Sequence, residues 1–268
     1  MRLDYAPYYK LISSFQCSRA LGKVSRVVGL IVEVSGIRPF IGEMCLVKGL
    51  PGQPPFPAEV VGFKDRRAML MPLGPLSGVA PGSLVQPTGQ PFRLTVGPEL
   101  LGKVLDGLGR PLQGGKIELK EPRDYLVENS PPNPLERRPI EEVLATGVKA
   151  IDALLTCGSG QRIGIFSGSG VGKSTLLGMI ARYSEADVSV IGLVGERGRE
   201  VGDFLQHDLG VEGLKRSVVV VSTSDKPALE RVKAAYVATS IAEYFRDRGK
   251  RVILMMDSIT RFAMALRE

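Results

Sequence analysis

The sequence has little of several residue types that carry chemistry: it has no tryptophan, one histidine and three cysteines among 268 residues. Cys17, Cys45 and Cys157 are too far apart for a metal-binding or redox pair, and their odd number argues against a disulfide framework. The lone histidine, His207, has no cysteine or histidine near it, so we do not expect a histidine-based metal or catalytic centre. Any catalysis must therefore use other side chains.

Long apolar runs are also missing. No stretch of about 18 apolar residues occurs, so no membrane span is expected. The segment Met1–Tyr5 has neither the apolar core nor the cleavage site of a signal peptide. With 44% hydrophobic and 24% charged residues the composition is that of a globular chain. We therefore predict a cytoplasmic globular protein.

The net charge is +7, with an isoelectric point near 9.4, which permits binding to nucleic acid or to an anionic membrane surface. The dense basic clusters lie at 64–67, 136–138 and 246–251, and each mixes signs or falls at a turn. None alternates with aromatic residues, as a base-stacking surface does. We interpret the charges as spread over solvated faces and regard nucleic acid as an improbable partner.

Residues 1–92 favour a small antiparallel β-barrel. Short apolar runs alternate there with glycine and proline turns, at positions 28–34, 43–47, 58–63 and 68–71. We interpret Val28 to Val34 as one strand whose alternate residues share a face. Lys64 to Arg67 is predicted to be the turn between the last two runs.

Residues 93–268 favour an α/β domain with a mostly parallel sheet and helices on both faces. A turn-rich, extended connector that wraps this domain is predicted up to Pro139. Beyond it, apolar runs predict strands at 162–166, 188–194, 217–222 and 251–256. Helical spacing predicts helices at 174–183 and 228–248, and the sequence further favours one helix or two short ones over 141–155 and a short helix at 203–209.

A glycine-rich segment between a predicted strand and a predicted helix indicates a phosphate-binding loop. Its glycines let backbone N–H groups surround phosphate oxygens, and the helix N-terminus adds partial positive charge. Lys173 can reach the β- and γ-phosphates of ATP, and the Ser174 hydroxyl can ligate Mg²⁺. The candidate ATP-binding residues are Ser167, Gly168, Ser169, Gly170, Val171, Gly172, Lys173, Ser174 and Thr175. The strict pattern has glycine at the first position, where this chain has Ser167.

Two acidic residues follow predicted strands of the same sheet. Asp257 ends the apolar run 251–256, which is typical of the carboxylate that holds Mg²⁺ in P-loop ATPases. Glu196 follows the run 188–194, and in open α/β sheets ligands bind at the carboxyl ends of the strands. A carboxylate placed there can polarise the attacking water. The alternative interpretation of Glu196 is a solvated residue in a charged loop.

Together these segments resemble the family of rotary and hexameric ATPases that includes the ATP-synthase catalytic subunits. Further stretches stand in the order and spacing of that family, at 146–152, 160–166, 195–200 and 257–261. Within the family the chain is most similar to the type III export ATPases. Three stretches look like the flagellar branch, at 168–182, 243–250 and 256–263. Members of this branch also relax the first glycine of the loop.

The resemblance implies a fold and a set of roles. It implies a six-stranded N-terminal barrel, then a RecA-like P-loop core, then a C-terminal helical domain that is absent from residues 1–268. The family's catalytic and Mg²⁺-binding residues carry over to Lys173, Ser174, Glu196 and Asp257, and Arg197 matches a family arginine beside the glutamate. It further implies a homohexamer with the site between subunits, so that hydrolysis needs a neighbour's arginine.

The function implied by the resemblance is Mg²⁺-dependent ATP hydrolysis that drives export of flagellar proteins. The implied partners are export-apparatus proteins, a stator or regulator, and chaperone–substrate complexes, with peripheral association at the inner face of the cytoplasmic membrane beside the export gate. An alternative is the ATPase of a virulence injectisome. Two alternatives from other classes are a non-catalytic nucleotide-binding subunit, which generally lacks the carboxylate of Glu196, and an RNA translocase resembling the terminator Rho, against which the lack of stacking aromatics argues.

Overall fold

The computed structural model describes residue 5 and residues 20–50, 52–74, 76–137, 139–168 and 170–268. These residues divide into two compact units, and the division in the chain falls between Pro91 and Phe92. Among the helices so described, none combines the length and apolar content needed to cross a bilayer.

The first unit is a closed barrel of six antiparallel strands in the order β1-β2-β5-β4-β3-β6. The strands are β1 Gly22–Val28, β2 Ile31–Ser35, β3 Glu43–Val47, β4 Phe56–Lys64, β5 Arg67–Pro72 and β6 Leu84–Pro91. Val32, Val34, Cys45, Val47 and Leu70 face inward and are fully buried in its core. The barrel expected from the sequence is confirmed.

Two parts of the barrel differ from the sequence interpretation. The apolar run from Val28 to Val34 is not one strand, because Gly29 adopts a left-handed conformation (φ +58°) and turns the chain between β1 and β2. Strand β6 has no alternating apolar pattern, and it forms because its backbone pairs with β1 on one side and β3 on the other. Closure of the barrel supplies hydrogen bonds that a local sequence pattern does not reveal.

The second unit contains the following elements in chain order. They are β7 Arg93–Val96, β8 Val104–Asp106, β9 Arg123–Leu126, α1 Lys149–Leu154, α2 Lys173–Tyr183, β10 Val188–Val194, α3 Gly198–Asp203, a π-helical segment Phe204–Leu209, α4 Gly210–Lys215, β11 Ser217–Ser222, α5 Ala228–Asp247, β12 Val252–Asp257 and α6 Ile259–Arg267. Single 3-10 turns occur at Pro98–Leu100 and Pro134–Glu136.

A four-stranded parallel sheet in the order β12-β10-β11-β8 forms the centre of this unit. Helix α5 covers one face through a core that includes Val190, Val220 and Ile241. Helix α2 covers the other face through a second core with Ile180, Ile191 and Val219. Every residue of β10 is buried, as expected for a parallel strand covered on both faces. The predicted α/β architecture is confirmed.

The segment before the glycine-rich loop contradicts the sequence interpretation. Residues 162–166 were expected to form a buried strand, yet they form no strand, and Phe166 is 96% exposed. A strand is stable when its backbone groups pair with a neighbour. In the part of the chain that the structure describes, no strand pairs with this segment. An apolar run is therefore not sufficient to make a strand.

Three further boundaries differ from expectation. Of the helical pieces expected within 141–155, the structure contains α1 alone. The short helix expected at 203–209 is the middle of a longer helical run, 198–215, whose centre is the π-helical segment. Strand β8 lies inside the turn-rich connector, because its three residues gain their partner from β11, which is over a hundred residues away.

The connector is fixed along helix α5 by three side chains spaced seven residues apart. The buried ammonium of Lys233 forms an ion pair with Glu128. Ser240 Oγ donates to the carbonyl of Val127 (3.2 Å), and Tyr125 Oη donates to Asp247 (3.0 Å). Residues seven apart lie on one face of a helix, two turns from one another. The extended connector predicted to wrap the α/β domain thus follows this face of α5.

Candidate functional site

The two acidic candidates lie at the same edge of the sheet. Asp257 is the last residue of β12 and pairs in register with Leu193 of β10. Gly195 and Glu196 follow β10 directly. Because the strands are parallel, their carboxyl ends meet, and this places both carboxylates where an open α/β sheet binds its ligand.

The glycine-rich loop leads into helix α2 with its backbone open to a ligand. Gly170 and Gly172 adopt left-handed conformations (φ +76° and +94°), and a Cβ at either position would meet no atom within 4 Å. Gly172 is the N-cap of α2 and no side chain caps the helix there. The first N–H groups of the eleven-residue helix are therefore available to an anion. Ser169 lies outside the described residues.

Lys173 and Asp257 are in direct contact, although they are 84 residues apart in the chain. Lys173 is the first residue of α2, and its Nζ lies 2.5 Å from Oδ1 of Asp257. The Asp257 side chain is 8% exposed, whereas that of Lys173 is 34% exposed. The pairing neutralises a buried carboxylate, while the Lys173 side chain stays partly exposed.

Glu196 is a half-buried acid with a shifted pKa. Burial, followed by a hydrogen bond with Glu200, raises the pKa of Glu196 to about 7, and the nearby Arg261 guanidinium opposes the shift. Arg261 Nη1 lies 2.8 Å from Oε2 of Glu196 and 4.0 Å from Oε2 of Glu200. The hydrogen bond with Glu196 lowers the pKa of Glu200. A carboxyl group that titrates near neutral pH can exchange a proton during turnover.

The remaining candidates are exposed or half-buried. Ser167, Gly168, Val171 and Thr175 are exposed, and Ser174 is half-buried in the first turn of α2. Arg197 caps α3 but directs its guanidinium to solvent, with 78% of the side chain exposed and an ion pair to Glu200 at 3.8 Å. The structure therefore brings Lys173, Asp257 and Glu196 to one edge, and Arg197 beside it. These roles remain predictions.

The far end of helix α2 is held by the loop that precedes α1. Asp152 accepts hydrogen bonds from Thr146 N and Oγ1 and from Gly147 N, at 2.7–3.0 Å. These bonds lower the pKa of Asp152. Gly147 lies so close to Tyr183 that an added Cβ would come within 2.5 Å of the Tyr183 carbonyl oxygen. The stretch 146–152, one of those that carried the family resemblance, thus supports the helix that presents Lys173.

The donor set suits Mg²⁺ bound together with a nucleotide. Within the described ranges, no group of three or more His, Cys, Asp or Glu side chains gathers into a protein-only metal cage. Mg²⁺ is commonly held by one carboxylate and a hydroxyl, with phosphate oxygens and water completing its shell. Asp257 at the strand end and Ser174 at the helix start are residues of that kind.

Two residues of the site received no role from the sequence. Glu200 and Arg261 both occur in stretches that carried the family resemblance, yet nothing in their local pattern marks them as partners of Glu196. Glu200 lies in the first turn of α3, whereas Glu196 precedes the N-cap of that helix, Arg197. Arg261 reaches the site because β12 and β10 are adjacent, which requires knowledge of the strand order.

Comparison with known families matches both units. The nucleotide-binding domain of the ATP synthase alpha/beta family matches residues 147–268. The beta-barrel domain of the same family matches residues 24–89. Both matches fall within the corresponding structural unit.

Similar curated proteins include ATPases of two export systems. The flagellum-specific ATP synthase of Bacillus subtilis is 57% identical over 249 residues, which covers 92% of this chain and 56% of the relative. The type 3 secretion system ATPase of Xanthomonas euvesicatoria is 50% identical over 258 residues, covering 96% of this chain and 58% of the relative. The chain thus spans a little over half the length of these relatives.

A solved structure has the same fold. The assembled ATPase EscN in complex with its central stalk EscO, from the type III secretion system of enteropathogenic E. coli, matches with a TM-score of 0.84 and 48% sequence identity. The match covers 92% of this chain and 60% of that one.

Proposed function

This chain belongs to the ATP synthase alpha/beta family, and on that basis we propose that it binds ATP and hydrolyses it to ADP and phosphate. The observation that carries the proposal is the contact of Lys173 with Asp257 at the sheet edge where Glu196 also lies. Phosphoryl transfer to water needs positive charge at the phosphates, a carboxylate for the metal and a group that accepts a proton. Lys173, Asp257 and Glu196 are groups of these three kinds.

Each residue has a role that follows from its position. The backbone N–H groups of the glycine-rich loop and of the first turn of α2 bind the phosphates. Lys173 exchanges its contact with Asp257 for phosphate oxygens and offsets charge on the transferred group. Ser174 and Asp257 would hold Mg²⁺, which would supply further positive charge to the phosphates.

Glu196 acts on the attacking water. The water oxygen forms a bond to the γ-phosphorus, the bond from that phosphorus to the bridging oxygen of ADP breaks, and the water's proton passes to the Glu196 carboxylate. In-line transfer needs little covalent chemistry from the protein, so the orientation of this water is the main task of the carboxylate. The raised pKa of Glu196 matches this acceptor role at neutral pH.

We further propose that hydrolysis energises protein export by a type III apparatus, with flagellar export as the first candidate. The support is the 57% identity to the flagellum-specific ATP synthase of Bacillus subtilis. Export by an injectisome is the second candidate, supported by the 50% identity to the Xanthomonas secretion ATPase. The proposed setting is a homohexamer in the cytoplasm that associates with the membrane export gate and contacts export-apparatus proteins, a stator or regulator, and chaperone–substrate complexes.

Support for assembly comes from a relative. EscN, at 48% identity, is described as an assembled ATPase in complex with a central stalk protein. A ring with a stalk is therefore the arrangement that we propose here. Glu196 favours a catalytic subunit over a non-catalytic one.

The function is tested with the full-length protein, which is the whole polypeptide that the cell produces. Lys173→Ala is expected to abolish ATP turnover, because the transferred phosphoryl group loses its charge partner. Phosphate release is measured with and without Mg²⁺, and secretion of flagellar proteins is measured in cells that carry the same substitution. A purified, folded variant that keeps most of its turnover would show that the loop is not the catalytic phosphate site.

A further inference from the structure

Two hydrogen bonds continue the pairing of β10 with β11 beyond the ends of both strands. The last paired residues of the two strands are Val194 and Ser222. Beyond them, Gly195 N donates to Ser222 O (2.6 Å), and Ser224 N donates to Glu196 O (3.0 Å). The second bond reaches the main chain of the residue proposed to act on the attacking water. The chain after β11 therefore fixes where the backbone of Glu196 lies.

The residues after β11 form a turn, residues 223–226, which we call the β11 turn. Lys226 N donates to Thr223 O (3.0 Å), which closes a four-residue β-turn with Ser224 and Asp225 at its centre. A hydrogen bond from Thr223 also lowers the pKa of the Asp225 carboxyl group. Both bonds lie inside the turn, so its shape does not depend on Glu196.

Arg231 of helix α5 holds the end of the β11 turn. Its Nε donates to Lys226 O (3.1 Å), and its Nη2 lies 2.5 Å from Oε2 of Glu268, the C-cap of α6. The Arg231 side chain is only 12% exposed. Because the donors of a guanidinium form a rigid fork, the two bonds fix its orientation. Arg231 thus ties the turn to both α5 and α6.

The contact of the β11 turn with Glu196 differs from the contacts of the Glu196 side chain. Arg261 lies against the carboxylate itself, whereas Ser224 donates to the carbonyl of the backbone. A side chain can reach only the positions that its own backbone allows. The bond from Ser224 therefore sets the starting point from which the carboxylate reaches toward a ligand.

We propose that the β11 turn positions Glu196 for the proposed hydrolysis, with the Ser224 amide as the contact and Arg231 as the side chain that fixes the turn. Ser224 and Arg231 are positioning residues, because they act through the main chain of Glu196. A displacement of a reacting group by about 1 Å costs about 10²-fold in rate. The inference rests on the proposed ATPase function and adds to it the element that places the carboxylate.

The first test replaces Ser224 in the full-length protein. Ser224→Pro removes the amide hydrogen, and proline is favoured at the first central position of the common β-turns. The reference is Ser224→Ala, which keeps the amide. We expect kcat of the proline variant to be about 10–10²-fold below that of the alanine variant. ATP affinity should be the same in both, because the glycine-rich loop and Lys173 provide it.

The second test leaves the sequence of the turn intact. Arg231→Gln removes both the bond to Lys226 O and the ion pair with Glu268, whereas Glu268→Gln removes the ion pair alone. We expect kcat to be lower in Arg231→Gln than in Glu268→Gln. The control is Arg246→Gln, which removes a charge from an exposed position on the same helix and should leave kcat unchanged. Denaturation midpoints show which variants are folded.

A cycle with Glu196→Gln separates positioning from a general effect on the fold. In that background, Ser224→Pro should cause no further loss of kcat, since the carboxylate that the turn positions is already absent. Single-turnover measurements resolve the low residual rates. Equal kcat in the proline and alanine variants, losses that add in the double variant, or a weakened ATP affinity would overturn the inference. If the proline variant does not fold, equal kcat in Arg231→Gln and Glu268→Gln would overturn it.

These outcomes are distinct from failure of the proposed function. A wild-type protein without ATP turnover would reject the function itself. A wild-type protein that hydrolyses ATP and is insensitive to loss of the Ser224 amide would reject the inference alone.

Discussion

For Glu196, the catalytic and the structural interpretations predict different results of the same measurements. Glu196→Gln keeps the size and hydrogen-bonding reach of the side chain but removes the proton acceptor. Turnover of the full-length protein should fall by about 10²–10⁴-fold, the usual loss when a general base is removed. ATP affinity should persist, because the loop amides, Lys173 and Mg²⁺ are intact. Both quantities are measured on the same preparation.

The outcomes separate three interpretations of this residue. Loss of kcat with retained affinity is the expected result. Unchanged kcat would remove Glu196 from the catalytic residues and favour the non-catalytic-subunit alternative. Loss of both quantities would show that the residue is needed for the loop to fold.

The pKa of Glu196 predicts a pH dependence of turnover. Its value of about 7, raised by burial, means that the carboxyl group of the free protein is protonated below pH 7 and cannot accept a proton there. We therefore expect kcat/KM to rise with pH through about 7, since this quantity reports groups of the free enzyme. The matched control is the pH profile of the residual rate of Glu196→Gln. The ionisation of ATP affects this profile and the wild-type profile equally. A wild-type profile with the same shape as that of the variant would contradict the assignment.

Stability has the opposite sign of pH dependence at this residue. The pKa of the Glu196 carboxyl group is higher in the folded protein than its unfolded value of 4.5. Its protonation therefore contributes to the free energy of unfolding in full below pH 4.5. The contribution is lost as pH rises from 4.5 through about 7. The folded protein is thus less stable at the pH where Glu196 is ionised and can act as a base.

The sequence predicts which residues carry the chemistry of the site better than it predicts which residues contact them. Lys173 and Asp257 were expected to share a phosphate site, and they are in contact. Glu200 and Arg261 were not expected to contact Glu196, because those contacts depend on the start of α3 and on the adjacency of β10 and β12. Motif spacing reports which groups exist, whereas the strand order decides which of them meet.

Among the elements, helix α2 has one position with no room for a side chain. A Cβ on Gly178 would lie 2.4 Å from the carbonyl oxygen of Asp208 in the π-helical segment. Gly178→Ala is therefore expected to destabilise the protein by about 1–3 kcal/mol, the usual cost of overpacking, despite the better helix propensity of alanine. Denaturation midpoints of the full-length protein measure the effect.

The control for that substitution is another helical glycine. A Cβ added at Gly202 in α3 would have no atom within 4 Å. Gly202→Ala should leave stability unchanged or raise it by up to about 1 kcal/mol, as helix propensity alone predicts. If both variants have the same midpoint, the contact between α2 and the π-helical segment does not constrain the fold.

Elements were predictable where burial on both faces dictates the sequence. The bounds of β10 and β11 are those expected from their apolar runs. Residues 162–166 have a similar run and form no strand, because pairing is a property of a neighbour and not of the run itself. Strands β6 and β8 were missed for the converse reason, since a partner stabilises sequences that carry no strand pattern.

For the whole molecule, we predict that residues 1–268 alone hydrolyse ATP poorly while still binding it. The chain carries Lys173, Ser174, Glu196 and Asp257, but the family resemblance assigns a further arginine to a neighbouring subunit. Such an arginine contributes about 10³-fold or more in related enzymes. Phosphate release per molecule is measured for residues 1–268 across a range of concentrations. Fast hydrolysis by residues 1–268 that does not depend on concentration would contradict the requirement for a neighbour.

The contact between Lys173 and Asp257 also has a consequence for biosynthesis. A ribosome that has just added Lys173 must still add 84 residues before Asp257 exists. At about 5–20 residues per second this takes roughly 4–17 s. Until then, neither the glycine-rich loop nor the N-terminus of α2 has the carboxylate that pairs with Lys173. In the proposed ATPase, the backbone amides assigned to phosphate binding are therefore synthesised before the carboxylate that lies beside them in the folded protein.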